Sequence, residues 1–446
     1  MQFRRELKLF LVREALKNGA NLLPLISEER LLSVMDEKLA SIAHDYPEGR
    51  AFLARMALQW KRKLPSMSKN CRNKAISNFF VNGLITGNEK RNAFAQKNGF
   101  KPPFFFVISP SMACNLRCYG CYAGEYAKDS GLPYSVLSRL LNEAKDMGIY
   151  FITISGGEPF VRKDLLDLFR EFDDMYFQVY TNGTLIDDQM AKKLAKLGNV
   201  VPCISVEGFE RETEERRGKG TYGRVMTAMD SLRQEGVLFG FSATATRSNN
   251  EFILSDQFID FYVQKGCFIG WYFNYMPIGR CPELELMPTP EQRNWRRERL
   301  NSIRDAQPIL MSDFWNDGPL TGGCIAGGRS YFHINSHGDV EPCVFVHFAA
   351  DNIKDKSLYE VLNSKLFWAI RKRQPYNNNL LRPCMIIDNP NVLREVIAEG
   401  GAHPTHPGAE TIINELAGAL DKYAEEYGKL VDSAWRERCT AIAQVV

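Results

Sequence analysis

PFFFVISPSMACNLRCYGCYAGEY, residues 103–126, decides the fold. Its first half is a run of aromatic and β-branched residues, Phe104–Ser109, with the texture of a buried strand. Its second half carries Cys114, Cys118 and Cys121 in the spacing C-x3-C-x2-C. Eight residues at the chain's average composition would hold about 0.2 cysteines, so three in one loop point to a metal centre.

Downstream, similar strand-like runs recur at 149–155, 176–181, 200–206, 238–245 and 268–276. Helical patterns at 134–147, 164–172, 187–197, 222–235 and 254–265 separate them. Strands alternating with helices of this length imply parallel βαβ crossovers. Six such units predict an α/β fold, a partial (β/α)6 barrel of TIM type, with the chemistry gathered at the C-terminal strand ends. Upstream, residues 1 to about 100 read as helix after helix, with apolar residues at helical spacing over 3–16, 31–42 and 52–64, and a polar connector, ITGNEKRNAFAQKNGFKPP, leads into the first strand. After Pro288 the pattern passes through a charged helix, EQRNWRRERLNSIRDA, into a Gly- and Cys-containing segment, and it becomes helical again over 407–440. The expected division is a helical domain at 1–100, a barrel at 101–287, a cysteine-bearing extension at 288–395 and a helical tail at 396–446.

The 446 residues include 45% hydrophobic and 24% charged side chains, an ordinary globular composition. Lys+Arg 56 against Asp+Glu 53 is too balanced to expect a nucleic-acid partner. Eleven cysteines, an odd count without a secretory signal, predict reduced thiols and a cytoplasmic protein. Residues 3–17 place Arg4, Arg5, Lys8, Arg13 and Lys17 among apolar side chains. This suits either an interfacial helix at an anionic membrane surface or a helix packed on the barrel.

Three cysteines in one loop suit an iron–sulfur cubane with one iron left open. Zinc would want a fourth ligand, and no histidine is near. Ser155-Gly156-Gly157-Glu158-Pro159 ends the second run, where two glycines permit close backbone approach and an acid can accept from an amine. This pairing resembles the radical S-adenosylmethionine superfamily. The resemblance implies a [4Fe–4S] cluster on Cys114, Cys118 and Cys121, with S-adenosylmethionine chelating the open iron. It implies that Gly156, Gly157 and Glu158 receive the cofactor's amino group, and that the cofactor is cleaved reductively to a radical that takes hydrogen from a substrate. An electron donor of the ferredoxin or flavodoxin kind is implied as partner.

Further blocks fit the same resemblance: Asn182 in Tyr180-Thr181-Asn182-Gly183, Ser205 in Cys203-Ile204-Ser205, and Arg217 in the following segment, all as cofactor contacts. Glu207 stands where many relatives have Asp.

Cys324 and Cys343 bracket a His-Gly-Asp turn, and Cys384 follows in LRPCMIIDNP. These resemble a SPASM or shorter twitch extension. They imply one auxiliary iron–sulfur cluster on Cys324, Cys343 and Cys384, with Cys281 or an open iron as the fourth position. Two buried thiols on a hairpin would account for Cys324 and Cys343 without metal. Cys71, Cys203, Cys267 and Cys439 read as small core residues. The substrate is left open among a peptide, a lipid-linked molecule and a small metabolite. A non-catalytic iron–sulfur carrier or metal-stabilised scaffold is the rival function, and it would have no use for the Gly-Gly-Glu motif.

Overall fold

The computed structural model describes residues 27–33, 47–129 and 131–443. The segment 3–17, read as an interfacial or packing helix, lies outside them.

Six parallel strands form where the sequence places them: β1 Phe105–Ile108, β2 Phe151–Ile154, β3 Tyr176–Thr181, β4 Val200–Val206, β5 Gly240–Ala245 and β6 Ile269–Asn274. Before them lie helices α1 Pro47–Lys63 and α2 Gly87–Asn98, and between them run the crossovers α3 Tyr134–Asp146, α4 Leu165–Glu171, α5 Asp188–Leu197, α6 Thr221–Gln234 and α7 Asp256–Lys265. Local chemistry sets these boundaries. Asp187 and Ser255 accept the backbone N–H of Met190 and Phe258 at the starts of α5 and α7, and Gly198 and Gly266 end both helices in the left-handed conformation.

The sheet runs past residue 287. The charged helix, α8 Pro290–Ala306, opens with a Thr289–Gln292 capping box and is itself a crossover. It leads to a seventh parallel strand, β7 Leu310–Asp313, which pairs with β6. At the other edge β1 pairs in parallel with β8 His333–Ile334, and β9 Val340–Glu341 closes a hairpin on β8. The order is therefore β7-β6-β5-β4-β3-β2-β1-β8-β9, an open barrel whose cysteine-bearing extension adds its hairpin to the sheet. β7 was missed because four residues directly after a helix, LMSD, offer too short a run to show alternation.

The N-terminal helices close the barrel floor. Phe79 lies in a π-helical turn, Ala75–Thr86, with its ring 5.5 Å from Phe151 and 5.8 Å from Tyr176, the first residues of β2 and β3. Trp60 of α1 packs 4.7 Å from Phe268 at the foot of β6. The C-terminal helix, α9 Ala417–Ala443, lies against α8, where the Arg293 guanidinium sits 3.8 Å over the Tyr427 ring. Among the described residues no helix is long and apolar enough to cross a membrane.

Candidate active site

The Gly-Gly-Glu segment is built against the start of the cysteine loop. Gly157 N–H donates to Ser111 O (3.1 Å) and Glu158 N–H to Ala113 O (2.8 Å). A Cβ on Gly157 would fall 2.2 Å from Ala113 O. One on Gly156, at φ +115°, would fall 2.3 Å from Ser111 O. Only glycines allow the two strand ends to lie this close.

Glu158 is 1% exposed, and its carboxylate is held by the chain itself. Oε1 accepts from Phe160 N–H (3.1 Å) and the Thr181 hydroxyl (2.8 Å), and Oε2 accepts from Asn182 N–H (2.7 Å). Burial raises its pKa against these donors. The cavity lining includes Gly156 and Gly157 but not Glu158, which ties β2 to the end of β3 behind the wall. Asn182 links β3 to the cysteine loop: its Nδ2 donates to Asn115 Oδ1 (2.9 Å), while its Oδ1 accepts from Thr184 N–H and the Thr184 hydroxyl. Ser205 and Arg217 also line the cavity.

Glu207, 1% exposed, anchors the arginines. Its Oε1 accepts from Arg217 Nε (2.9 Å) and Arg216 Nη1 (2.6 Å). Arg216 reaches on to the carbonyls of Tyr119 and Gly120, and Arg280 to those of Cys118 and Gly124. Two cations thereby clamp the backbone that carries the thiols. Arg216 and Arg280 were not singled out in the sequence. The signal for Arg280 was its place just after Ile278-Gly279 at the end of β6.

Cys114, Cys118 and Cys121 border one cavity of about 450 Å³ that runs from this loop into the barrel and down to Phe52, Met56 and Trp60 of α1. Burial raises the thiol pKa values of Cys114 and Cys121. Among the described residues no three Cys, His, Asp or Glu side chains converge on a single point, so the fold contributes a shared wall rather than a closed thiol cage. Three soft sulfurs on one clamped loop, with a side-chain-free Gly-Gly shelf beside them, fit a cubane with one open iron. No Asp, Glu or His lines this cavity among the described residues.

A second cavity, of about 550 Å³, brings Cys324, Cys343 and Cys384 to one wall. Burial drives all three thiols toward the protonated form, Cys343 to about 12, although the Tyr331 hydroxyl donates to its Sγ (2.8 Å). Three thiols from three segments around one void fit a metal cluster better than an inert hairpin pair. Cys281 is not on this wall. It is exposed, with φ +47°, beside Tyr119 and Glu283 at the first cysteine loop, which removes it as the fourth ligand. Cys439 is exposed on α9 rather than in the core, whereas Cys71, Cys203 and Cys267 are buried as expected. Phe52, Trp271, Ser312, Phe314 and Ile325 line both cavities and form a thin, largely apolar partition between them.

A buried polar network ties the end of β1 and the segment after the first cysteine loop to the β8–β9 hairpin. His333 lies between Ser109 Oγ (2.8 Å) and Glu341 Oε2 (2.6 Å). Glu341 Oε1 accepts from the hydroxyls of Tyr126 (2.7 Å) and Thr405 (2.6 Å).

Comparison with known proteins bears on the family and the fold. Residues 108–245 match the Radical SAM superfamily, and residues 324–385 match SPASM, an iron–sulfur cluster-binding domain. Mycofactocin maturase MftC of Mycolicibacterium smegmatis is 28% identical over 296 residues, covering 62% of this chain and 75% of that protein. The AdoMet-dependent heme synthase of Methanosarcina barkeri is 25% identical over 291 residues, covering 58% of this chain and 82% of its own length. The crystal structure of Streptococcus suis SuiB bound to S-adenosylmethionine superposes with a TM-score of 0.56 at 21% identity. It covers 67% of this chain and 76% of that one, a likeness of fold.

Proposed function

This chain is a radical S-adenosylmethionine enzyme with a C-terminal SPASM domain, and from that premise we propose that it abstracts hydrogen from an unactivated carbon of an apolar substrate held inside the barrel. The superfamily implies a [4Fe–4S] cluster and S-adenosylmethionine, and the SPASM domain implies auxiliary iron–sulfur chemistry. We assign the first cluster to Cys114, Cys118 and Cys121, and one auxiliary cluster to Cys324, Cys343 and Cys384. When bound, the cluster and its cofactor supply one-electron cleavage of a carbon–sulfur bond and a carbon radical strong enough to take hydrogen from substrate.

The chain's own residues do the rest. The Gly156–Gly157 shelf gives backbone groups to the cofactor's amino acid end. Glu158 and Asn182 hold that shelf and the cysteine loop in register. Ser205 and Arg217 reach the cavity beside them, with Arg217 fixed by Glu207. Tyr122 and Tyr180 line the wall as neutral phenols, because burial raises both pKa values. A reducing protein of the ferredoxin or flavodoxin kind delivers the electron.

The observation that carries this reading is the cavity lining. A void of about 450 Å³ beside three cysteines is lined by no carboxylate and no histidine among the described residues, so the commonest general acid–base groups are missing from its wall. Its apolar walls suit homolytic chemistry, which must exclude water and competing donors. An electron carrier needs neither the Gly-Gly shelf nor a substrate-sized chamber beside it. The test is anaerobic reconstitution with dithionite and S-adenosylmethionine. Formation of 5′-deoxyadenosine is expected, and its absence from iron-replete protein would sink the proposal.

A further inference from the structure

The barrel cavity is unusual in where its charges lie and in what forms its floor. Among the described residues its charged lining groups are Lys128, Arg216, Arg217 and Arg280, all at the end that carries the cysteine loop. Arg216 and Arg217 are engaged by Glu207, and Arg280 by backbone carbonyls. Below them some polar groups pair within the wall, while Trp271 Nε1 and Asn274 Nδ2, also on the lining, are buried without a hydrogen-bond partner. Gln178 Nε2 donates to Cys203 Sγ (3.3 Å), and the Ser205 and Ser242 hydroxyls lie 3.4 Å apart.

The deep half is hydrocarbon and aromatic: Phe105, Tyr176, Val201, Leu238, Ile269 and Leu310. The strands that enclose it are four to seven residues long, about 13–23 Å of extended chain at ~3.3 Å per residue.

The floor is Phe52, Met56 and Trp60. These residues are spaced i, i+4, i+8 and so form a single row along α1. The helix lies outside both segments that match known families, which begin at residue 108. Trp60 is fixed by Phe79, Phe80 and Phe268, so this end is rigid. Phe52 also faces the auxiliary cavity. Among the described residues, a void with its charges at the cysteine-loop end and an apolar stop of Phe52, Met56 and Trp60 at the other has the layout of a chain-length gauge.

We propose that the substrate carries a linear hydrocarbon chain, acyl or isoprenoid, which enters the barrel with its polar end at the cysteine-loop mouth and its tail against α1, and that Phe52, Met56 and Trp60 set the chain length accepted. This rests on the radical reading above and names the substrate class for that same site. The three side chains are specificity residues, remote from the cluster ligands.

The test is binding, read independently of turnover. Holoenzyme with S-adenosylmethionine is titrated with the fluorescent polyene cis-parinaric acid, which is then displaced by saturated fatty acids from eight to eighteen carbons. Affinity is expected to rise about fourfold per added methylene, the ratio for burying one CH₂, until the tail meets the floor, and then to level off. Met56→Trp should move that break to a shorter chain, and Phe52→Leu should move it to a longer one. Thermal melting checks that each variant is folded, and the two opposite shifts keep the test valid if one variant fails. Affinity that does not depend on chain length overturns the proposal. So does equal displacement by a compact naphthyl acid, or a break that stays fixed in both folded variants. The same preparations are assayed for 5′-deoxyadenosine. If it forms while the chain-length dependence fails, only the substrate class falls; if it does not form, the radical reading falls.

Discussion

The two cysteine sites in this barrel are built in opposite ways. The first takes its three thiols from eight consecutive residues, and Arg216 and Arg280 clamp the loop by its carbonyls. The second gathers Cys324, Cys343 and Cys384 from three segments spread over sixty residues, beside the buried ion pairs Arg293–Asp388 and Arg296–Asp313. Behind Cys384, Asp388 accepts from its N–H (2.9 Å) and pairs with Arg293, both side chains being 0% exposed. A local loop held by surface-reaching cations can exchange a ligand at its open position. A site assembled by tertiary packing is part of the core and should share its stability.

The sharpest break of this comparison is the triple variant Cys114→Ala/Cys118→Ala/Cys121→Ala. It should fold, lose about four irons and make no detectable 5′-deoxyadenosine. Residual iron, counted with its electron paramagnetic resonance signal, then reports the second site alone. About four irons left supports one auxiliary cluster, and none left would make Cys324, Cys343 and Cys384 structural.

The second site should break through folding rather than chemistry. Asp388→Ala leaves the Arg293 guanidinium buried without its anion, at a cost of about 3–5 kcal/mol. The expected result is a large drop in thermal midpoint with reduced auxiliary iron in whatever folds. A melt within 2 °C of the parent would show that Tyr427 and the Trp315 and Asn316 contacts hold Arg293 well enough alone.

This asymmetry is also what made one site legible and the other less so. The first site is written in contiguous residues, so spacing and position after a strand were enough to find it, and β3 and β4 matched their expected bounds at 176–181 and 200–206. The roles of Arg216 and Arg280 depend on which carbonyls lie within reach in space, which no spacing encodes. Glu158 and Cys281 show the same limit. A carboxylate after Gly-Gly can face the ligand or turn back to Thr181 and Asn182. A cysteine after β6 can face either site until the path of the following loop is known. The helix at 52–64 was legible as a helix, whereas the polar connector expected at 85–103 contains α2, whose mostly polar residues hide its period, and the task of this region as the floor of the barrel appears only when Phe79 and Trp60 meet the strand ends.

The seam between the two sites should reveal itself through pH. His347 packs against Tyr126 of the cysteine-loop segment, its ring 5.1 Å away, donates to Val344 O (3.0 Å) and meets His406 (2.7 Å). Burial lowers its pKa from 6.5 to about 4. The unfolded chain therefore binds this proton first. Stability is full above pH 6.5 and is lost as the pH falls toward 4, by about 3 kcal/mol in total. Denaturant midpoints measured between pH 7 and pH 4.5 should show this slope, and His347→Gln should flatten it. A slope unchanged in the variant would assign the loss to other groups.

The smallest expected effect tests the clamp on the first site. Arg280 donates from Nη1 to Cys118 O (3.1 Å) and from Nη2 to Gly124 O (3.4 Å), and its own N–H donates to Cys121 O (3.0 Å). Arg280→Gln keeps the backbone contact and removes the two guanidinium bonds, a loss of about 1–2 kcal/mol for charge-assisted donors that are half-buried. The loop should still bind its cluster, because the thiols and the Gly156–Gly157 shelf are untouched. It should release iron to a chelator roughly tenfold faster, while the iron at Cys324, Cys343 and Cys384 leaves at its original rate. Equal acceleration at both sites would mean that the partition of Phe52, Trp271, Ser312, Phe314 and Ile325 transmits the loosening, and the two sites would then have to be treated as one unit.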